Sequence, residues 1–276
     1  MKQEEIKEVL KSHALWIETN GSEGERAYLN NVNLVDCDLI GTDLSYANLI
    51  NCDLAYCDLY SANLSYANLV DCDLTYANLK KAILIDCDLT GADLSYADLI
   101  DCILSFANLK NATLKNADLS NAYLMDADLS DCNLSYADLR NAKLFKTKVI
   151  RANLSNANLK YSDLRHCNLG YANLKYANLA YCNFSNANLA YCNLLNANLS
   201  YSNLKNADLF NAYLKDANLF NADLRCCNLE YSDLRHCNLE YANLKYADLS
   251  YANLKKANLS GANLSDAKMN DKTKRS

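Results

Sequence analysis

Thirteen cysteines and three histidines are the residues of this 276-residue chain with the greatest capacity for chemistry. Thiols and imidazoles bind metal ions, and they also act as nucleophiles and bases. Their spacing argues against these uses, because twelve of the cysteines occupy the same position of a five-residue period, where alanine otherwise stands. We interpret these twelve as small buried hydrophobic residues. Only Cys226 lies at another position of the period, and it is predicted to be an exposed thiol.

The histidines and acidic residues give no better catalytic candidate. His166 and His236 occur in identical Arg-His-Cys contexts but are 70 residues apart, so they are not expected to share a metal ion or a substrate. The sequence has no recognisable nucleophile-base pair, glycine-rich phosphate loop or metal-ligand spacing. We therefore predict a protein that is not an enzyme and needs neither a metal nor a cofactor.

The elements that position these residues are units of five. Forty-nine units follow one another without insertion, centred on Leu29 and every fifth residue to Met269. With the central residue called i, position i−2 is always small and forty units carry Asn or Asp at i−1. A period of five fits neither a continuous helix nor a flat strand. Each unit is therefore predicted to be a very short strand followed by a turn, stacked on its neighbours so that the leucines form a common core.

The units, such as Ala47-Asn48-Leu49 and Ala97-Asp98-Leu99, resemble those of the pentapeptide repeat proteins. This resemblance implies an all-β, right-handed quadrilateral β-helix with four units per coil. It also implies that positions i−2 and i point inward and the other three outward. At about 4.8 Å per coil, about twelve coils would form a rod about 58 Å long.

Three segments are predicted. Residues 1–26 contain an amphipathic capping helix over 3–18 and a linker, residues 27–269 form the uninterrupted β-helix, and residues 270–276 are a polar, basic tail. The tail is too short for a second cap, so the last coil is expected to be open or dimeric. No signal sequence or transmembrane segment is recognisable, and we expect a cytoplasmic protein without membrane contact.

Charge divides the repeats into two halves. Residues 29–149 carry 17 acidic and 8 basic side chains, a net charge of −9, whereas residues 150–269 carry 9 and 12, a net charge of +3. In the basic half, two columns are predicted on opposite faces: Lys215, Arg235 and Lys255, and Lys205, Arg225 and Lys245. Together with columns of tyrosine they leave nucleic-acid binding open as a less favoured alternative.

The acidic half raises a second alternative. Some pentapeptide repeat proteins act as DNA mimics that bind type II topoisomerases such as gyrase, and the resemblance extends that possibility to an acidic surface at Asp88, Asp93 and Asp98. B-DNA carries about one negative charge per 1.7 Å, so half of the rod would need about 17 charges. The net charge of −9 is well below that value.

One outward surface is unusually apolar. If four units make one coil, a single face carries seven such residues over four coils: Ile83, Ile85, Ile103, Phe106, Tyr123, Met125 and Phe145. A contiguous exposed apolar patch is typical of a protein contact. We therefore predict a non-enzymatic scaffold whose partner is another protein or a second copy of the chain, with the topoisomerase-directed DNA mimic as the alternative.

Overall fold

The computed structural model describes residues 3–273 and consists of one helix followed by a solenoid of short turns. Helix α1 spans Gln3–Glu18, which confirms the helix predicted over 3–18. No extended strand follows it within the described residues. Instead, isolated parallel β-bridges link each i−1 residue to the residue twenty positions later, from the pair Tyr28 and Asn48 to the pair Asp248 and Lys268.

A spacing of twenty residues means that four units complete one coil, so each coil has four sides. Each unit is joined to the next coil through its backbone: the Leu29 N–H donates to the Asn48 carbonyl oxygen at 2.8 Å, and the Asn48 N–H donates to the Ala27 carbonyl oxygen at 2.9 Å. The same pattern recurs along the chain to Lys268. The strands of the sequence-based prediction are thus reduced to single bridged residues.

The core consists of two kinds of inward side chain. The leucines at i and the small residues at i−2 are buried along almost the whole solenoid, and Phe184 occupies a leucine position with no exposure. In the last coil the core residues Ala257, Leu259 and Leu264 are only partly buried. Neighbouring coils therefore stabilise one another by burial of leucine, as in other repeat solenoids.

Each unit turns at the two residues after its leucine. The N–H of each i−2 residue donates to the carbonyl oxygen of the leucine three positions earlier, as Val32 does to Leu29 at 3.1 Å. The residue at i+2 has a positive φ in every unit from Asn31 to Asp266, as in a type II turn. Tyrosines such as Tyr46 and Tyr66 adopt this left-handed conformation, which side chains other than glycine and asparagine adopt at a cost.

The Asn and Asp residues at i−1 hold these turns. The side-chain oxygen of Asp73 accepts a hydrogen bond from the Thr75 N–H at 2.9 Å, and most other units repeat this contact. Asparagines also bond to each other between coils, since the Asn173 amide donates to Asn153 at 3.0 Å and Asn153 donates to Asn133 at 3.3 Å. The i−1 side chains are therefore half-buried structural groups and not freely hydrated ones.

Helix α1 covers the first coil through a buried histidine. The Nδ1 atom of His13 accepts a hydrogen bond from the Ala27 N–H at 3.1 Å, and its ring stacks on Trp16 with the centroids 5.8 Å apart. His13 is fully buried, and this burial lowers its pKa below the ordinary value of 6.5. Asp43 and the Ser45 backbone act in the opposite direction, and Arg26 lowers the pKa further.

The docking of α1 is expected to weaken in acid. His13 binds a proton near pH 6.5 in the unfolded state, whereas its pKa is lower in the folded state. The contribution of neutral His13 to stability is therefore full above pH 6.5 and is lost as the pH falls from there through the lowered pKa of the folded state. Trp16 is the only tryptophan, so its fluorescence should report release of the helix as the pH falls below the ordinary histidine pKa of 6.5. The His13→Gln variant should lose this transition, whereas His166→Gln should keep it. Retention of the transition in His13→Gln would show that another group controls it.

Candidate functional site

The seven apolar residues predicted from the sequence lie on one side of the solenoid. We call this side the Ile83 face; it comprises the outward residues of the units centred on Leu64 and every twentieth residue to Leu164. Successive bridges join Ile83 to Ile103 and Ile103 to Tyr123. The other four residues flank this column: Ile85, Met125 and Phe145 at i+1, and Phe106 at i+2.

Four of the six turns of this face lack their usual side-chain hydrogen bond. Nine of the forty-nine units have neither Asn nor Asp at i−1, and four of the nine occupy consecutive coils of the Ile83 face, at Ile83, Ile103, Tyr123 and Lys143. Elsewhere these exceptions never occupy consecutive coils of one face. Each missing bond is worth about 1 kcal/mol. The face therefore forgoes stabilisation that neighbouring faces have, and local departures of this kind are typical of functional surfaces.

The apolar side chains of the Ile83 face are accessible to a partner. Phe106 is 55% exposed, Tyr123 44% and Met125 38%, whereas Ile83, Ile85, Ile103 and Phe145 are half-buried. Toward the C-terminal end, the face contains an open groove of about 560 Å³ lined by Tyr123, Met125, Lys143, Phe145, Asp163 and Arg165. The face therefore combines an apolar centre with a charged edge.

Aromatic residues that the sequence analysis did not include extend this face toward α1. Tyr46 and Tyr66 stack with their centroids 4.9 Å apart, and Trp16 packs edge-on against Tyr46 at 6.2 Å. The twenty-residue spacing of Tyr46, Tyr66, Asp86 and Phe106 could have revealed the column. The burial of His13 could also have been predicted, because His13 continues the apolar helical stripe of Ile6, Leu10 and Ile17.

Charged groups of two kinds border the apolar centre. Arg165 forms a bidentate ion pair with Asp163 at 2.7 and 2.8 Å, and this contact lowers the pKa of Asp163. Lys146 lies over the Phe145 ring with its Nζ 5.3 Å from the centroid. Within the described part of the chain, Asp86 and Lys146 are exposed and have no ion-pair partner.

The structure does not bring the predicted acidic residues together. Asp88, Asp93 and Asp98 belong to three successive units, so they lie on three different sides of one coil. Each is half-buried and accepts a backbone hydrogen bond, and Asp98 also pairs with Lys80 at 2.8 Å. The prediction that these residues form a single acidic surface is therefore wrong, because the three carboxylates hold turns on separate faces.

The predicted basic columns lie on opposite faces but are partly neutralised. Arg225 pairs with Asp223 and Arg235 pairs with Asp233, each at 2.6 Å. Lys215 lies 3.8 Å from Asp216. Because these pairs form within single units or between adjacent residues, the columns present fewer free cations to a phosphate backbone than the sequence indicated.

The tyrosine rings are exposed but stack on one another along each column. The rings of Tyr56, Tyr76 and Tyr96 stack on each other at 5.0 and 4.9 Å, and those of Tyr171 and Tyr191 at 4.7 Å. An inner ring such as Tyr76 thus has both faces covered, whereas a ring at the end of a column, such as Tyr56 or Tyr96, has a stacked tyrosine on one face. Nucleic-acid bases stack on exposed ring faces, so the inner rings of these columns are poor stacking platforms.

The cysteines at i−2 are buried as predicted except for Cys37, and Cys226 is exposed as predicted. All thirteen cysteines are free thiols: Cys226 is exposed, Cys37 is half-buried and the other eleven are buried. Burial raises the pKa of Cys57, Cys132 and Cys167 to about 12, which suppresses thiolate chemistry. His166 lies on the Ile83 face and His236 on the opposite one.

No group of three or more His, Cys, Asp or Glu side chains within residues 3–273 could hold a metal ion. No helix in the same range is long and apolar enough to cross a membrane.

Comparison with solved structures found several repeat proteins. A trypsin-treated form of QnrB1, a plasmid-mediated fluoroquinolone resistance protein, is 23% identical, with 64% of this chain and 86% of that chain covered and a TM-score of 0.45. HetL, from the cyanobacterium Nostoc sp. strain PCC 7120, is involved in heterocyst differentiation regulation. It is 30% identical over 92% of both chains, with a TM-score of 0.27. Rfr23 from the cyanobacterium Cyanothece 51142 is 29% identical over 42% of this chain and 63% of that chain, with a TM-score of 0.17.

Sequence comparisons identify the family. No curated protein matches the chain at a significant level. The sequence profile described as Pentapeptide repeats matches in overlapping segments that cover residues 25–105 and 107–271. These matches include nearly every unit of the solenoid, and the chain therefore belongs to the pentapeptide repeat family.

Proposed function

We propose that this chain is a non-catalytic, right-handed quadrilateral β-helix that serves as a rigid scaffold for contact with another protein. The Ile83 face is the contact surface. The observation that carries this proposal is the run of four consecutive coils without Asn or Asp at i−1 on that face, at Ile83, Ile103, Tyr123 and Lys143. A right-handed coil also agrees with the strong right-handed preference of connections between parallel strands.

The fold itself explains why the apolar residues need another role. Asn at these positions would bond to the i+1 N–H and to the amides of the coils above and below. Ile83 and Ile103 forgo those bonds and stay half-buried, so they add little to the core. A partner that covered the face would remove their apolar surface from water, which is the usual source of affinity at an interface.

The DNA-mimic alternative has less support. The half-buried positions of Asp88, Asp93 and Asp98 on three sides of a coil give no continuous acidic surface. A supercoiling assay with the purified chain would test directly whether a topoisomerase is the protein partner.

The paired substitution Ile83→Asn with Ile103→Asn tests the proposed surface. Both residues would then match the other units, so the turn bonds should form and the free energy of unfolding should rise by about 1 to 2 kcal/mol. Contact with a partner should nevertheless be lost. The readouts are thermal unfolding, sedimentation velocity, and crosslinking followed by mass spectrometry in the host cell.

The matched control changes the same repeat position on the opposite face. Thr113→Asn with Asn133→Ser alters two i−1 residues there and leaves the Ile83 face intact. This control should retain the oligomeric state and every crosslinked partner of the wild-type chain. If the Ile83 and Ile103 substitutions also left both unchanged, the Ile83 face would not be the contact surface.

A further inference from the structure

We propose that the Ile83 face pairs with the same face of a second copy of this chain, with the two solenoids antiparallel. This inference rests on the protein-contact function proposed above and names its partner. The two-fold axis would lie between the coil that contains Phe106 and the coil that contains Asp126. It would run across the face, perpendicular to the long axis of the solenoid. Closed two-fold pairs are the commonest assemblies of identical chains.

Such an axis has a simple effect on the columns of the face. It keeps each column opposite the same column of the second copy and reverses the order of the coils. Residues at i+2 therefore meet residues at i+2, and the coil of Asp86 meets the coil of Lys146. The same operation brings Ile85 opposite Phe145 and Ile103 opposite Tyr123, so these apolar side chains are covered on both copies. It places Ile83 opposite Lys143 and Phe106 opposite Asp126.

Charge complementarity and the contact of Ile85 with Phe145 and of Ile103 with Tyr123 together select this register. Asp86 and Lys146 are exposed, have no ion-pair partner within residues 3–273 and face each other in both halves of the pair. Two intermolecular ion pairs thus flank the apolar centre. At the next position along the column, Tyr66 meets His166, whose neighbour Arg165 is already paired with Asp163.

Other arrangements bring like charges together or leave the apolar residues uncovered. An axis between the coils of Asp126 and Lys146 would pair these two charges but would place Ile83 and Ile85 opposite Asn183 and Ser185. A two-fold axis through the coil of Phe106 would place Asp86 opposite Asp126, and one through the coil of Asp126 would place that carboxylate opposite its own copy. Parallel solenoids would bring the i−1 column opposite the i+2 column and hence Lys143 opposite Lys146. Unfavourable juxtapositions of this kind fix the register of an interface.

The size of the face limits the strength of the pair. Six coils from Tyr66 to His166 extend about 29 Å, and three residue steps across the face add about 10 Å. The projected area of both copies is then about 600 Å², below the roughly 1,200 Å² of stable specific interfaces. The pair is therefore weak and reversible, with a Kd in the micromolar range or above.

Exchange of the two charges is the first test. Asp86→Lys and Lys146→Asp place residue types that already occur at i+2, at Lys81 and Asp126, so both variants should fold. In sedimentation velocity at low salt, each single change should weaken self-association by about tenfold, since it affects both ion pairs. The variant with both changes should return to within about threefold of the wild-type Kd. Equal weakening in the double variant would overturn the proposed register.

Disulfide trapping is the second test. Asp86→Cys with Lys146→Cys, in a chain that also carries Cys226→Ser, places two thiols three coils apart, about 14 Å within one chain. A disulfide needs Cα atoms within about 7 Å, so only two copies can be crosslinked. A covalent dimer on a non-reducing gel supports the register. A dimer from Asp86→Cys with Asp126→Cys, and none from the first pair, would instead support the axis through Phe106 and overturn the proposal.

The result also distinguishes the inference from the proposed function. If the wild-type chain stayed monomeric at all concentrations but Ile83→Asn with Ile103→Asn lost another protein partner, self-pairing would be wrong and the contact surface would stand. If neither a dimer nor a partner depended on the face, both proposals would be wrong.

Discussion

Leu124→Ala is expected to lower the free energy of unfolding by about 2 to 5 kcal/mol, the range for truncation of a fully buried leucine. Leu124 has no exposed surface and lies between Leu104 and Leu144 in the column of the core. The cavity would weaken contacts with the coils on both sides, because each repeat of a solenoid is stabilised chiefly by its neighbours. Urea denaturation followed by far-ultraviolet circular dichroism measures the change.

The matched control is Leu264→Ala in the last coil. Leu264 is only partly buried and has a neighbouring coil on one side, so the same truncation should cost clearly less than at Leu124. Equal losses at the two positions would mean that the leucine column does not carry the stability of the solenoid.

Removal of one unit, residues 112–116, is expected to leave a folded solenoid but to abolish contact through the Ile83 face. Every unit presents the same inward residues, so the core can close across the deletion. All residues beyond it would shift by one side of the coil, since four units make a turn. Tyr123, Met125 and Phe145 would then leave the face that holds Ile83 and Ile103. With the apolar patch split in two, association should weaken by at least about tenfold.

A deletion of the same length provides the control. Removal of residues 187–191 also takes out one unit, but it lies beyond the coils from Tyr66 to His166 and leaves the Ile83 face aligned. Circular dichroism should show both variants folded, and sedimentation velocity should show wild-type association only for the control. If the 112–116 deletion retained association, the contact would not depend on the alignment of this face.

Most of the core could be predicted from residue pattern alone. A small residue at i−2 and an apolar residue at i, leucine in all but three units, recur without a break, and no large side chain enters the i−2 position, so burial of both follows from packing. Helix α1 was predicted with its observed bounds because its apolar residues have helical spacing and Asn20-Gly21 follows it. The number of units per coil came from the family resemblance, since a five-residue period requires a turn in each unit but does not fix how many turns close a coil.

The outward surface was predicted less completely, because packing does not constrain its residue types. The apolar residues from Ile83 to Phe145 could be placed on one face once the coil length was assumed. Asp88, Asp93 and Asp98 are close in sequence, but neighbours five residues apart lie on different sides of a coil. Residues twenty apart are the ones in contact, so only columns define a surface.

The sequence by itself determined the repeat, the inward residues, the capping helix and the burial of eleven of the twelve cysteines at i−2, because each follows from local periodicity and side-chain volume. Only the tertiary structure decided how the outward groups satisfy one another. It placed tyrosines in left-handed turns with their rings stacked, paired Arg225 and Arg235 with carboxylates of their own units, and buried His13 against Ala27. The physical reason is that these contacts join residues brought together by the coil or by the docking of α1, and neither separation is encoded in the five-residue pattern.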